Sequence, residues 1–229
     1  MCTLTIIPGT QGHILTMNRD EALTRAEGEP RLARSAAGDL LHWHTVDAVS
    51  GGSWFGARGD GLVAALLNRY QDKVPGASAT APLRSRGCLI TTLLHSTNGM
   101  TAAQLAATLQ PRDFAPFDLY VYQAGELEGL HWDGLALQLQ THALDSPCLF
   151  TSSSEHAEAA RALREQQFAS YLSANPVPDA AHILEHLHGA PHPQPALAMR
   201  MRRPGRATRS IAQAQVTADS LRFLHKPLP

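Results

Sequence analysis

Cys2 is the residue whose position most directly suggests chemistry. Cysteine is small enough that an aminopeptidase can remove the Met1 before it, leaving a thiol and an α-amine on one residue. The ordinary pKa of such an amine lies near ~7.7–8.0 and that of the thiol near ~8.5. The amine is therefore partly neutral close to physiological pH and can take the thiol proton, directly or through a water. One residue then supplies both nucleophile and base. Taken alone, a cysteine opening a strand is more often a small buried residue behind a retained Met1.

A second polar group changes that balance. Asn18-Arg19-Asp20-Glu21 follows an apolar stretch, His13 to Met17, which is separated from Cys2 to Ile7 by the turn cluster Pro8-Gly9-Thr10-Gln11-Gly12. Two strands joined by such a turn form a hairpin, and the end of the second strand returns to the start of the first. The guanidinium of Arg19 would then favour a thiolate at Cys2. The carboxylate of Asp20 could hold the new α-amine or orient Arg19 through a bidentate pair. The plainer alternative is a surface turn with an ion pair worth ~0–1 kcal/mol.

The elements that must position these groups read as follows. After an irregular loop over 22–40, Trp54 to Ala57 and Leu62 to Leu67 form a hairpin around Gly59-Asp60-Gly61, closed by Asn68. A helix runs from Pro82 to about His95, and Thr101 caps a short helix to Leu109. Leu119–Tyr122, Leu130–Trp132, Leu135–Leu139 and Cys148–Thr151 form a meander. The period then becomes helical from Glu155 to Leu172, with Ala159, Leu163 and Phe168 on one face, and again from Pro178 to Leu187. Residues 189–206 are rich in Pro, His and Arg and read as a flexible connection. Two strands, Thr208–Val216 and Ser220–Leu224, end the chain. This order of strands and helices implies an α+β fold with sheets sandwiched between helical layers, in one domain over 1–229.

These blocks resemble the NRDE family, also called the transport and Golgi organisation 2 family. Met1-Cys2-Thr3, Asn18-Arg19-Asp20-Glu21, Gly51-Gly52-Ser53-Trp54-Phe55-Gly56 and Gly61 to Asn68 are similar to that family's opening motifs, and Ser85-Arg86-Gly87 to a later one. A more distant similarity runs to the cysteine Ntn hydrolases of the choloylglycine hydrolase and penicillin V acylase group. The resemblance implies an Ntn-hydrolase-like four-layer αββα sandwich with two antiparallel sheets. It implies Cys2 as nucleophile, Arg19 and Asp20 as its polarising neighbours, and Asn68 as an oxyanion donor. It also implies Arg209 as a further active-site arginine on a late strand. Two features depart from the distant group. Arg19 and Asp20 are adjacent, so they leave a regular strand on opposite faces. Ser153, in Phe150-Thr151-Ser152-Ser153-Ser154, stands where that group has an oxyanion-hole Asn.

The resemblance thus implies an amidohydrolase acting on a C–N amide bond of a small acylated metabolite, with Asn18 and Glu21 as ligand contacts. Trp54 reads as a stacking surface for a ligand or as a core residue. The alternative is a non-catalytic carrier of haem or of an acyl-CoA or lipid ligand on the same fold, with haem as cargo and no resident cofactor. Arg200, Arg202, Arg203, Arg206 and Arg209 could meet a phosphate or carboxylate, though such runs are usually solvated. The net charge of -1 gives no electrostatic reason to expect nucleic acid as a partner. Three cysteines, Cys2, Cys88 and Cys148, give no disulfide framework and suit a reducing compartment. No apolar run reaches membrane-spanning length, and no secretory signal is visible, so a cytoplasmic protein is expected. The twelve histidines, His42, His44, His182, His186, His188 and His192 among them, read as solvated rather than as a metal site, and the oligomeric state is left open.

Overall fold

The computed structural model describes residues 2–36, 38, 40–70, 83–96 and 100–229. Along the chain run β1 (Cys2–Gly9), β2 (Gly12–Ala22), β3 (Glu27–Arg34), β4 (Leu41–Asp47), β5 (Phe55–Arg58) and β6 (Val63–Asn68). Helices α1 (Cys88–His95) and α2 (Ala102–Thr108) precede β7 (Phe117–Gln123), β8 (Glu126–Trp132), β9 (Leu137–His142) and β10 (Cys148–Ser152). Helix α3 (Ala157–Ala174) is followed by α4 (Ala180–His182), which runs into a π-helical turn at Ile183–His188. Strands β11 (Arg202–Arg203), β12 (Arg206–Thr217) and β13 (Leu221–Pro227) complete it. The strands make two antiparallel sheets, so the fold is α+β.

By its contacts the chain divides into two compact units, residues 27–143 and the two flanking segments 1–26 and 144–229. The first carries the seven-stranded sheet, in chain order from β3 to β9. Its core is Leu62 with Ala64 and Leu66 of β6 and Leu119, Val121 and Leu130, packed with Leu89, Ile90, Leu93 and Leu94 of α1 and Leu105 of α2. These helix positions are spaced three and four apart and give one apolar face. Thr101 caps α2 with a reciprocal pair: its hydroxyl accepts from Gln104 N, and the Gln104 side chain accepts from Thr101 N.

The second unit holds the six-stranded sheet, in the order β10-β1-β2-β12-β11 with β13 also on β12. Ile7 and Ile14 of its first hairpin pack with Phe168 and Tyr171 of α3, with Ile183 and Leu187, and with Met199. No helix among the described residues is long and apolar enough to cross a membrane.

Several expectations change. The loop expected over 22–40 contains β3 and pairs with β4. The helix starts at Cys88, and Pro82 lies outside the described residues. The core face of α3 is Ala160, Arg164, Phe168 and Tyr171. Residues 189–206 are not a loose connection: Arg202 N donates to Pro195 O at 2.8 Å, and β11 pairs with β12. His42, His44 and His188 are buried at 1%, 3% and 0% exposure, so they are not solvated.

Candidate active site

The first hairpin places the site. In β1 and β2, Cys2 lies directly opposite Arg19, and on the other side β10 brings Ser152 opposite Cys2. Strand β12 brings Ser210 opposite Arg19. Residues paired across antiparallel strands project from the same face. Ser152, Cys2, Arg19 and Ser210 therefore form one row across four strands. A β-bulge between Thr208 and Ser210 inserts Arg209 beside this row, and such bulges re-aim a side chain. Arg209 is half-buried, and its Nε is buried with no hydrogen-bond partner among the described residues. The Ser152 hydroxyl is likewise buried with no hydrogen-bond partner among them.

The neighbouring residues face the other way. Asp20 is paired with Thr208, and Thr3 with both Thr151 and Asn18. On this face Arg164 of α3 binds the network together. Its Nη2 donates to Asp20 Oδ2 at 3.2 Å, and its Nη1 to Thr3 Oγ1 at 3.0 Å, Thr151 Oγ1 at 2.6 Å and Ser152 O at 3.3 Å. Its Nε donates to the carbonyls of Leu197 and Ala198. Thr208 Oγ1 donates to the second Asp20 oxygen at 2.6 Å. Neither Asp20 nor Arg164 has any side-chain exposure. Burial pulls the Arg164 pKa below its ordinary value, while Asp20 pulls it back. Arg164 thus fixes the backbone of Ser152 and the strand that carries Cys2, from the far side of the sheet.

Cys2 is a free thiol, 6% exposed. Burial pushes its pKa up; the positive amino terminus pulls it down, the Asp20 carboxylate adds to the rise, and Arg19 and the backbone N–H of Asp20 oppose it. The net direction is upward. Arg19 pulls toward a thiolate, as expected, but burial outweighs that pull.

The structure brings Cys2, Arg19, Asp20, Ser153 and Arg209 into one unit, while Asn68 and Trp54 belong to the other. Asn68 ends β6, and its Nδ2 donates to the Tyr70 hydroxyl at 3.4 Å. Trp54 is buried at 6% exposure, as a core residue would be. Ser153 is committed elsewhere: its hydroxyl donates to Glu155 O at 2.6 Å and accepts from Arg203 Nη2 at 3.0 Å. The serine beside Cys2 is Ser152, one residue earlier than expected. Asn18 points into the core, where its Nδ2 donates to the carbonyls of His188 and Met199 and its Oδ1 accepts from His188 Nδ1 at 2.7 Å. That fixes the tautomer, so His188 Nε2 accepts from Thr5 Oγ1 at 2.8 Å. The Asn18 side chain, expected as a ligand contact, is fully buried and bonded to His188 and Met199. Glu21 accepts from Ala22 N and sits 3.6 Å from Arg206.

The arginine run is engaged within the chain as well. Arg203 is 8% exposed and donates to Ala196 O at 2.7 Å, and Arg200 donates to Gly189 O at 2.9 Å.

Comparison with known proteins bears on the family and the fold. The sequence profile of the family described as transport and Golgi organisation 2 matches residues 1–187. Comparison with curated proteins finds no match by sequence. Among solved structures, the chain is similar to the Caenorhabditis elegans N-acylethanolamine-hydrolyzing acid amidase ortholog. The TM-score is 0.63 and the identity 15%, with 100% of each chain covered. It is also similar to penicillin V acylase from Agrobacterium tumefaciens, at TM-score 0.52 and 12% identity, covering 100% of this chain and 86% of that one. The C2A mutant of conjugated bile acid hydrolase from Clostridium perfringens matches at TM-score 0.51 and 11% identity, covering 100% and 92%. At these identities the likeness establishes the fold, which is that of the Ntn hydrolases.

Proposed function

The chain belongs to the transport and Golgi organisation 2 family, and from that premise we propose that it is an N-terminal-nucleophile cysteine amidohydrolase acting on the C–N amide bond of a small acylated metabolite. The observation that carries this reading is the row of Ser152, Cys2 and Arg19 on one sheet face, with the Asp20 N–H directed at the sulfur. Once Met1 is removed, the α-amine of Cys2 takes the thiol proton. The sulfur attacks the amide carbon, and the carbonyl oxygen becomes an oxyanion within reach of the Ser152 O–H. A donor fixed where charge develops is worth most in a buried site. The C–N bond breaks as the ammonium returns its proton to the leaving amine, leaving a thioester on Cys2. Water, activated by the same amine, then releases the acid. Arg19 opposes the burial that keeps the thiol neutral.

The fold shared with three amide-cleaving neighbours supports a general amidohydrolase-like framework. The test is an intact mass of the purified protein, followed by turnover of N-acylethanolamines, penicillin V and conjugated bile acids, the compounds in those neighbours' names. The expected result is loss of Met1, hydrolysis of an amide in the panel, and no turnover by a folded Cys2→Ala variant. Full activity in that variant would overturn the reading.

A further inference from the structure

Two histidines of the seven-stranded sheet aim their Nε2 atoms at the same point. In β8, Gly129 and His131 are two residues apart and share a face. Strand β7 sets Tyr120 opposite Gly129 and Asp118 opposite His131, and β9 sets His142 opposite Leu127 on that same face. A Cβ built on Gly129 would lie 2.5 Å from His131 Nε2 and 2.7 Å from His142 Nε2. Only glycine leaves open the space where the two nitrogens converge.

The chemistry of the pair is that of a ligand set. His131 Nδ1 bonds Asp118 Oδ1 at 2.7 Å. An ionised carboxylate only accepts, so Nδ1 carries the proton and Nε2 presents its lone pair. That Nε2 is buried and has no hydrogen-bond partner among the described residues. The two rings are 5.9 Å apart at 80°, with the Tyr120 ring 5.6 Å from His131 and 5.7 Å from His142. Asp118 also faces Arg69 at 3.4 Å.

We propose that His131 and His142 bind one borderline divalent transition-metal cation, Zn²⁺ or Ni²⁺, through their Nε2 atoms above Gly129. Imidazole suits these ions, and a carboxylate on the far nitrogen is the usual support of a metal-bound histidine. No group of three or more His, Cys, Asp or Glu among the described residues is arranged to hold a metal. The site is therefore a two-imidazole chelate completed by water, exchangeable rather than structural. It is independent of Cys2 and of the proposed hydrolysis.

Calorimetric titration of the full chain with ZnCl₂ and with NiCl₂ tests this. One equivalent should bind in wild type, at least about tenfold more weakly in His131→Gln and in His142→Gln. Asp118→Asn should weaken binding about 10–100-fold, and Gly129→Ala should abolish it by filling the space between the nitrogens. Circular dichroism checks that each variant folds; if Gly129→Ala does not, the two histidine variants decide. Absence of binding to wild type, or binding that survives both histidine variants and is lost in His182→Gln, would overturn the proposal.

Discussion

Asp20 and Arg164 meet at 3.2 Å with no solvent exposure on either side chain, on the sheet face opposite Cys2. Asp20 is the immediate neighbour of Arg19, which faces Cys2. Strand geometry therefore sends the two neighbours to opposite faces. Arg19 lies on the face of the thiol, and Asp20 locks helix α3 to the sheet while its charge still raises the thiol pKa. The Asp20 backbone N–H remains on the sulfur, so the ion pair on one face holds a donor on the other.

Breaking that pair is expected to cost far more than an exposed salt bridge. Arg164→Met leaves the Asp20 carboxylate buried without its cation, a loss of about 3–5 kcal/mol. Replacing both, as Asp20→Leu with Arg164→Met, should recover much of it, because no charge remains to be compensated. Urea denaturation of the two single variants and the double variant closes the cycle. Additive losses would mean that the two residues are not energetically coupled.

Ser152 and Ser153 are adjacent, yet their replacements should behave differently. Ser153→Ala removes the donor to Glu155 O and the acceptor for Arg203, at about 1–3 kcal/mol of stability. Ser152→Ala removes a hydroxyl with no hydrogen-bond partner among the described residues and should change stability by no more than about 0.5 kcal/mol. If Ser152 donates to the oxyanion, its loss lowers kcat by about 10²–10³ on whichever amide is turned over. Impaired turnover in Ser153→Ala at unchanged stability, with Ser152→Ala normal, would reverse the assignment.

How far this site was legible follows from what each signal depends on. The hairpin of Cys2 and Arg19 was readable because a turn cluster sits between two apolar runs, and strand period two already separated Arg19 from Asp20. Arg164 was hidden: it lies four residues before Phe168 on the buried face of α3, but among Arg161, Glu165 and Gln166 it reads as a surface residue. That Ser152 rather than Ser153 lies opposite Cys2 follows only from the register of β10 on β1, a pairing between segments some 150 residues apart. Strand β3 is illegible in the sequence because Glu27–Arg34 is an edge strand with its side chains exposed or half-exposed, so it lacks the alternation that marks a half-buried strand.

Stability should fall with acid earlier than carboxylates alone would cause. Burial lowers the His188 pKa to about 3, and burial followed by the charges of His42, His95 and Arg31 lowers that of His44 to about 4. A histidine whose folded pKa lies below its unfolded value, near ~6.5, contributes fully above that value and loses its contribution as pH falls toward the folded pKa. The window runs from about 6.5 down to about 3 for His188 and to about 4 for His44. Each proton steepens the dependence by about 1.4 kcal/mol per pH unit. Urea midpoints between pH 8 and 5 check this, and His188→Gln should flatten the slope by about one proton while lowering stability throughout. A flat profile from pH 7 to 5 would contradict it.

The two neighbours of Cys2 should move its thiol in opposite directions. Arg19 pulls the thiol pKa down and the Asp20 carboxylate pushes it up, both against a larger rise from burial. Arg19→Gln therefore raises the pH at which iodoacetamide labels Cys2, and Asp20→Asn lowers it. The Asp20 variant also loses stability, because Arg164 is left buried without its carboxylate. Labelling rates between pH 7 and 10, with each adduct mapped to Cys2, separate charge from packing. If both substitutions speed labelling at every pH, they act by loosening the hairpin and exposing the sulfur, and the electrostatic account fails. Opposite displacements would show that the sheet places one charge on each side of the nucleophile and that Arg19 is the one working toward a thiolate.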